Sequence, residues 1–69
     1  MPNYEIVSVT MKFPPNTKYQ DRLNAAIQYS VEWDVEVLFG YVHSKDEVCV
    51  MSVKGHDVST VSKGSPHGF

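Results

Sequence analysis

Hydrophobic and polar residues alternate from Tyr4 to Phe13, with Val7, Val9, Met11 and Phe13 on one side and Ile6, Ser8, Thr10 and Lys12 on the other. A period of two is the signature of a strand with one buried face. Pro14-Pro15 ends it, because proline has no N–H to give to a ladder and restrains the residue before it. The spacing then changes. Tyr19, Leu23, Ala26, Ile27 and Ser30 recur at i, i+4, i+7, i+8 and i+11, one stripe of a helix, while Asp21, Asn24, Ala25, Gln28 and Glu32 fill the opposite side. Thr17-Lys18-Tyr19-Gln20 matches a capping box, in which Thr and Gln side chains satisfy orphan backbone donors. A helix from about Lys18 to Trp33, ending near Asp34, is predicted.

Two runs rich in β-branched and aromatic residues, Val35–His43 and Val48–Lys54, flank the polar Ser44–Glu47. That is a β-hairpin pattern. Setting His43 opposite Val48 places Leu38, Gly40, Val42, Cys49, Met51 and Val53 on one side, and Val37, Phe39, Tyr41, Val48 and Val50 on the other. A glycine inside a strand often marks the close approach of another element, so the Gly40 side is assigned to the helix. A one-residue slip would exchange the faces. Gly55-His56-Asp57 breaks the pattern, and Val58–Val61 reads as a weak fourth strand at an edge. The Gly/Pro-rich end is expected to be a mobile tail over 64–69, following a single domain over 1–63. The fold class is α+β: a small two-layer β-α-β-β(-β) domain, with one helix on one face of a three- or four-stranded sheet whose strand order is open.

At 69 residues the chain has room for one small core. Domains of this size add a disulfide, a metal or a partner subunit. The lone Cys49 allows no internal disulfide and suits a reducing compartment, which favours self-association. The net charge is −2, and the six basic residues are dispersed in sequence, so nucleic acid is not the expected partner. No apolar run approaches the roughly 20 residues of a membrane helix, and the first residues lack the basic and apolar stretches of a secretory signal. A cytoplasmic location is expected.

No stretch carries a catalytic or ligand motif. His43, His56 and His67 are not paired at the short spacings of zinc sites, and Cys49 sits between Val48 and Val50 with an inward direction, as a small hydrophobe. Asp46-Glu47 is a solvated turn pair, and no phosphate loop is present. The expectation is therefore no enzyme, no metal and no cofactor. Two surfaces remain. One is the sheet face away from the helix, with Val37, Phe39, Tyr41 and Val50; apolar area of that kind usually marks an interaction site. The other is the helix flank Arg22, Ala26, Tyr29 and Trp33, at i, i+4, i+7 and i+11, whose Arg, Tyr and Trp are hot-spot types. The function expected is a non-enzymatic protein-binding module that masks or bridges a protein partner, as a homodimer, with a phage- or mobile-element-type inhibitor as its concrete form. A small-ligand binder with a pocket at a dimer seam is the alternative.

Overall fold

The computed structural model describes residues 3–64. It contains β1 (Ser8–Met11), α1 (Tyr19–Trp33), β2 (Glu36–Ser44), β3 (Glu47–Lys54) and β4 (Asp57–Gly64). The strands form one mixed sheet in the order β1-β2-β3-β4, with the helix packed on one face, as the sequence pattern predicts. β1 pairs with β2 in parallel and the other two pairings are antiparallel. The parallel pair follows from the helix: α1 carries the chain back to the end where β1 began, so β2 must run in the same direction.

β1 is shorter than the alternation suggests. Its only ladder partner among the described residues begins at Glu36, whose N–H donates to the Val7 carbonyl at 3.0 Å. Tyr4, Ile6 and Val7 therefore extend past the sheet and stay exposed. Within the strand the predicted facing holds, and Val9, Met11 and Phe13 pack against the core.

The helix stripe also holds. Ala26 and Ser30 are buried and Leu23 and Ile27 pack on the core, while Tyr19 sits at the rim. The capping box does not form. Lys18 is the N-cap and makes no side-chain cap bond, and the Gln20 amide donates instead to Asn24 Oδ1 at 3.0 Å. The helix ends at Asp34, which adopts the left-handed conformation (φ 53°) and donates its N–H to the Ser30 carbonyl. Asp is one of the few residues that tolerate this geometry. Ser30 secures the same end: its hydroxyl donates to the Val35 carbonyl at 2.6 Å and accepts the Gly55 N–H at 2.7 Å. Gly55 has φ 61° in the β3–β4 turn, where a side chain would be strained. One buried hydroxyl thus ties the helix end, the start of β2 and that turn together.

The hairpin register is where the structure departs most from the sequence reading. Ser44 pairs with Glu47 around Lys45-Asp46, the register set at the turn. His43 then bulges out, and every pair below it is shifted by one: Val42 faces Val48, Tyr41 faces Cys49, Phe39 faces Met51 and Val37 faces Val53. An extra residue on one strand reverses the facing of everything beyond it. The β3 half of the assignment survives, with Cys49, Met51 and Val53 under the helix, while the β2 half inverts. Val35, Val37 and Phe39 are buried there with them, and Leu38, Gly40 and Val42 face outward. Gly40 is not a point of close approach: the nearest heavy atom to a Cβ built on it is the Cys49 carbonyl oxygen at 3.8 Å.

β4 is a full strand rather than a weak one, and it too carries a bulge, at Val61 between the Met51–Thr60 and Val50–Ser62 pairs. Lys63 and Gly64 belong to it; the rest of the expected tail lies outside the described residues.

Candidate functional site

The registers define the sheet face that α1 does not cover. It carries Ser8 and Thr10 from β1, Glu36, Leu38, Gly40 and Val42 from β2, and Val48, Val50, Ser52 and Lys54 from β3. Asp57, Ser59 and Ser62 of β4 complete it. Two regions result. Towards the start of β2 the face is polar, and the Ser52 hydroxyl donates to Glu36 Oε2 at 2.6 Å. Towards the hairpin tip it is apolar, with Leu38, Val48 and Val50 half-buried and Val42 70% exposed around the flat spot left by Gly40. Antiparallel strands with one solvated face normally carry polar residues there; the centre of this face does not.

The expected contact residues divide on this geometry. Val50 lies on the open face. Val37 and Phe39 are 0% exposed and belong to the core beneath α1, so neither is part of an exposed surface. Tyr41 is on the helix side as well, half-buried, with its ring 4.5 Å from that of Tyr19. Leu38 and Val42 are the residues the sequence reading missed. A signal for them existed: Val35, Val37, Phe39 and Tyr41 alternate as the bulkier set, and the bulkier set takes the core.

The helix flank is not one surface either. Ala26 is fully buried. Arg22 spends its guanidinium inside the chain: Nε donates to the Thr17 carbonyl and NH1 to the Gly40 carbonyl, both at 2.9 Å, and NH2 to the Pro14 carbonyl at 3.4 Å. Its Cζ stands 5.5 Å over the Phe13 ring. Arg22 is a clamp that holds the β1–α1 loop against β2. Tyr29 is half-buried against the core, and Trp33 stacks beside it at 6.0 Å while remaining 61% exposed. Trp33, Val31, Ile6 and Val7 are exposed apolar side chains of the helix's second half and of the arm before β1.

At the hairpin end, Tyr19, Tyr41 and His43 form an aromatic row continuing outward from Phe39. The Cys49 thiol, 1% exposed, points to Glu47 Oε1 at 3.8 Å, and His43 Nε2 lies 3.8 Å from the same oxygen. The hydrogen bond with Cys49, and then burial, raises the Tyr41 hydroxyl above its ordinary value of 10.0. The thiol is thus buried, with the Glu47 carboxylate and the Tyr41 hydroxyl as its polar neighbours. Among the described residues no three His, Cys, Asp or Glu side chains converge as metal ligands, and no cavity is enclosed. No helix of the described residues is long and apolar enough to cross a membrane.

Folding also sorts the charges by position. Lys12, Lys18, Arg22, Lys45 and Lys63 lie in the half towards the hairpin tip with Asp21, Asp46 and Glu47, a net of +2. Glu5, Glu32, Asp34, Glu36 and Asp57 lie at the opposite end with Lys54 alone, a net of −4. Strand directions bring this about, since residues far apart in sequence share an end of the sheet.

Compared with known protein families, curated proteins and solved structures, the chain matches none. Its function is argued from its own surface.

Proposed function

We propose that the protein is a non-enzymatic protein-binding module whose binding surface is the uncovered face of the sheet. The observation that supports this is the apolar centre of that face, Leu38, Val42, Val48 and Val50 around Gly40, with no element of the described residues packed over it. Contiguous apolar area on a small domain marks an interaction site more often than chance exposure does. Masking a partner's surface would make the protein an inhibitor; bridging two surfaces would make it an adaptor. A single cysteine suits a reducing compartment such as the cytoplasm. A small-ligand site would have to be built at a seam between copies, since one copy encloses no cavity among its described residues.

The test is affinity capture of binding proteins by the immobilised wild type, Val42→Asp and Val31→Asp. Val42 and Val31 are both exposed, so neither change should unfold the domain. Capture lost with Val42→Asp and kept with Val31→Asp supports the face. Capture that survives Val42→Asp and fails with Val31→Asp overturns it in favour of the helix.

A further inference from the structure

We infer that the occupant of the open sheet face is a second copy of this chain, docked face to face with its strands running in the opposite direction. This rests on the reading of that face as a binding surface and names its partner. The sheet edges are poor places for association. β1 has only four residues and runs into Lys12 and Pro14-Pro15, while β4 carries Lys63 and the Val61 bulge. Short strands, lysines, prolines and bulges are the devices that stop strands from pairing sideways. Of the sheet's own surfaces, that leaves the face.

Its size fits a modest dimer. Strands of four, nine, eight and eight residues, at about 3.3 Å per residue and about 4.8 Å apart, give a face of roughly 460 Å². Two such faces approach the lower bound of about 1,000 Å² for a specific interface. The expected dimer is weak, roughly micromolar or looser.

Charge selects the orientation. Packed sheets lie about 10 Å apart, close to one Debye length at physiological salt, so charges on facing sheets still sense each other. With strands parallel, the base of the open face, where Glu36, Asp57 and Lys54 share a rung, would stack on its own copy. With strands opposed, the Glu36 and Asp57 carboxylates of the two copies go to opposite poles, and each base lies against the other copy's hairpin tip. The tip itself is mixed, Lys45 with Asp46 and Glu47, so the preference comes mainly from separating those carboxylates. A two-fold axis at the level of Gly40 and Val50 then sets Leu38 over Val42 of the second copy. Lys45, five residues above Gly40, comes over the level of Glu36, Lys54 and Asp57, which share one rung of the sheet.

The experiment uses the unmodified protein, mixed as light and isotopically heavy copies. Analytical ultracentrifugation over a concentration series gives the state, and a short lysine-reactive cross-linker gives the orientation. A dimer with an intermolecular Lys45–Lys54 link and no Lys45–Lys45 link is expected. Within one copy those two lysines sit at opposite ends of β3, roughly 25–30 Å apart, beyond the linker. An intermolecular Lys45–Lys45 link, or neither link in a proven dimer, overturns the orientation. A dimer of equal affinity in Val42→Asp overturns the face as the seam. A monomer throughout overturns the second copy as occupant, while partner capture sensitive to Val42→Asp would still uphold the binding surface.

Discussion

Arg22 offers the sharpest test of how the fold is held. Replacing it with alanine removes two charge-assisted bonds of 2.9 Å, to the carbonyls of Thr17 and Gly40, and the stacking over Phe13. Bonds from a charged donor contribute about 1.5–3 kcal/mol each. Both carbonyls are only part-buried and water will recover some of that, and the exposed 3.4 Å bond to Pro14 adds little. The expected loss is about 2–3 kcal/mol. A domain of this size holds roughly 3–10 kcal/mol in total, so the melting temperature should fall on the order of 10–20 °C. Arg22→Lys keeps the charge, but one ammonium cannot span acceptors that a planar fork reaches together; about half the loss is expected. The assay is urea unfolding followed by far-UV circular dichroism, run at two protein concentrations because self-association would make stability concentration-dependent. If Arg22→Ala stays within about 0.5 kcal/mol of wild type, the range of an ordinary surface change, the clamp is wrong. Arg22 would then return to the residues free to contact a partner.

Two further outcomes follow from the same contacts. Ser30→Ala strands the Gly55 N–H and the Val35 carbonyl beside the helix end, so about 1–3 kcal/mol should be lost. Hydrogen exchange at the Gly55 amide should accelerate, and an unchanged rate would show that the serine does not hold that turn. The Tyr41 hydroxyl is raised in the folded state, so folding favours its protonated form. That contribution is complete below the ordinary value of about 10 and is lost as pH rises from there through the folded value. Tyr41→Phe should therefore show a smaller loss of stability between neutral and strongly alkaline pH than wild type. Equal losses in the two proteins would remove Tyr41 as a contributor.

The sequence led furthest where a local signal repeats. Seven or more residues at helical or alternating spacing fixed α1 and the facing of β1, whereas the inward set Cys49, Met51 and Val53 came out right although the Gly40 argument that chose it failed. It led astray where one residue decides. The capping box was a four-residue match, and it lost because the cap falls at Lys18, the Thr17 N–H donates to the Pro14 carbonyl and Gln20 turns to Asn24. The outer-face assignment was lost at His43: the Ser44–Glu47 connection was placed correctly, but the bulge beside it moved Val37 and Phe39 into the core and Leu38 and Val42 out of it.

By itself, then, the sequence determined the elements, their order along the chain and the two-layer class, because periodicity is carried by neighbours in the chain. The parallel pairing of β1 with β2, the two bulges, the capture of Arg22 by three carbonyls and the gathering of acids at one end were decided only in three dimensions. Each depends on which distant residues meet. A register changes by one residue at little local cost, yet it exchanges the two faces of a strand, and with them the surface on which this protein's function rests.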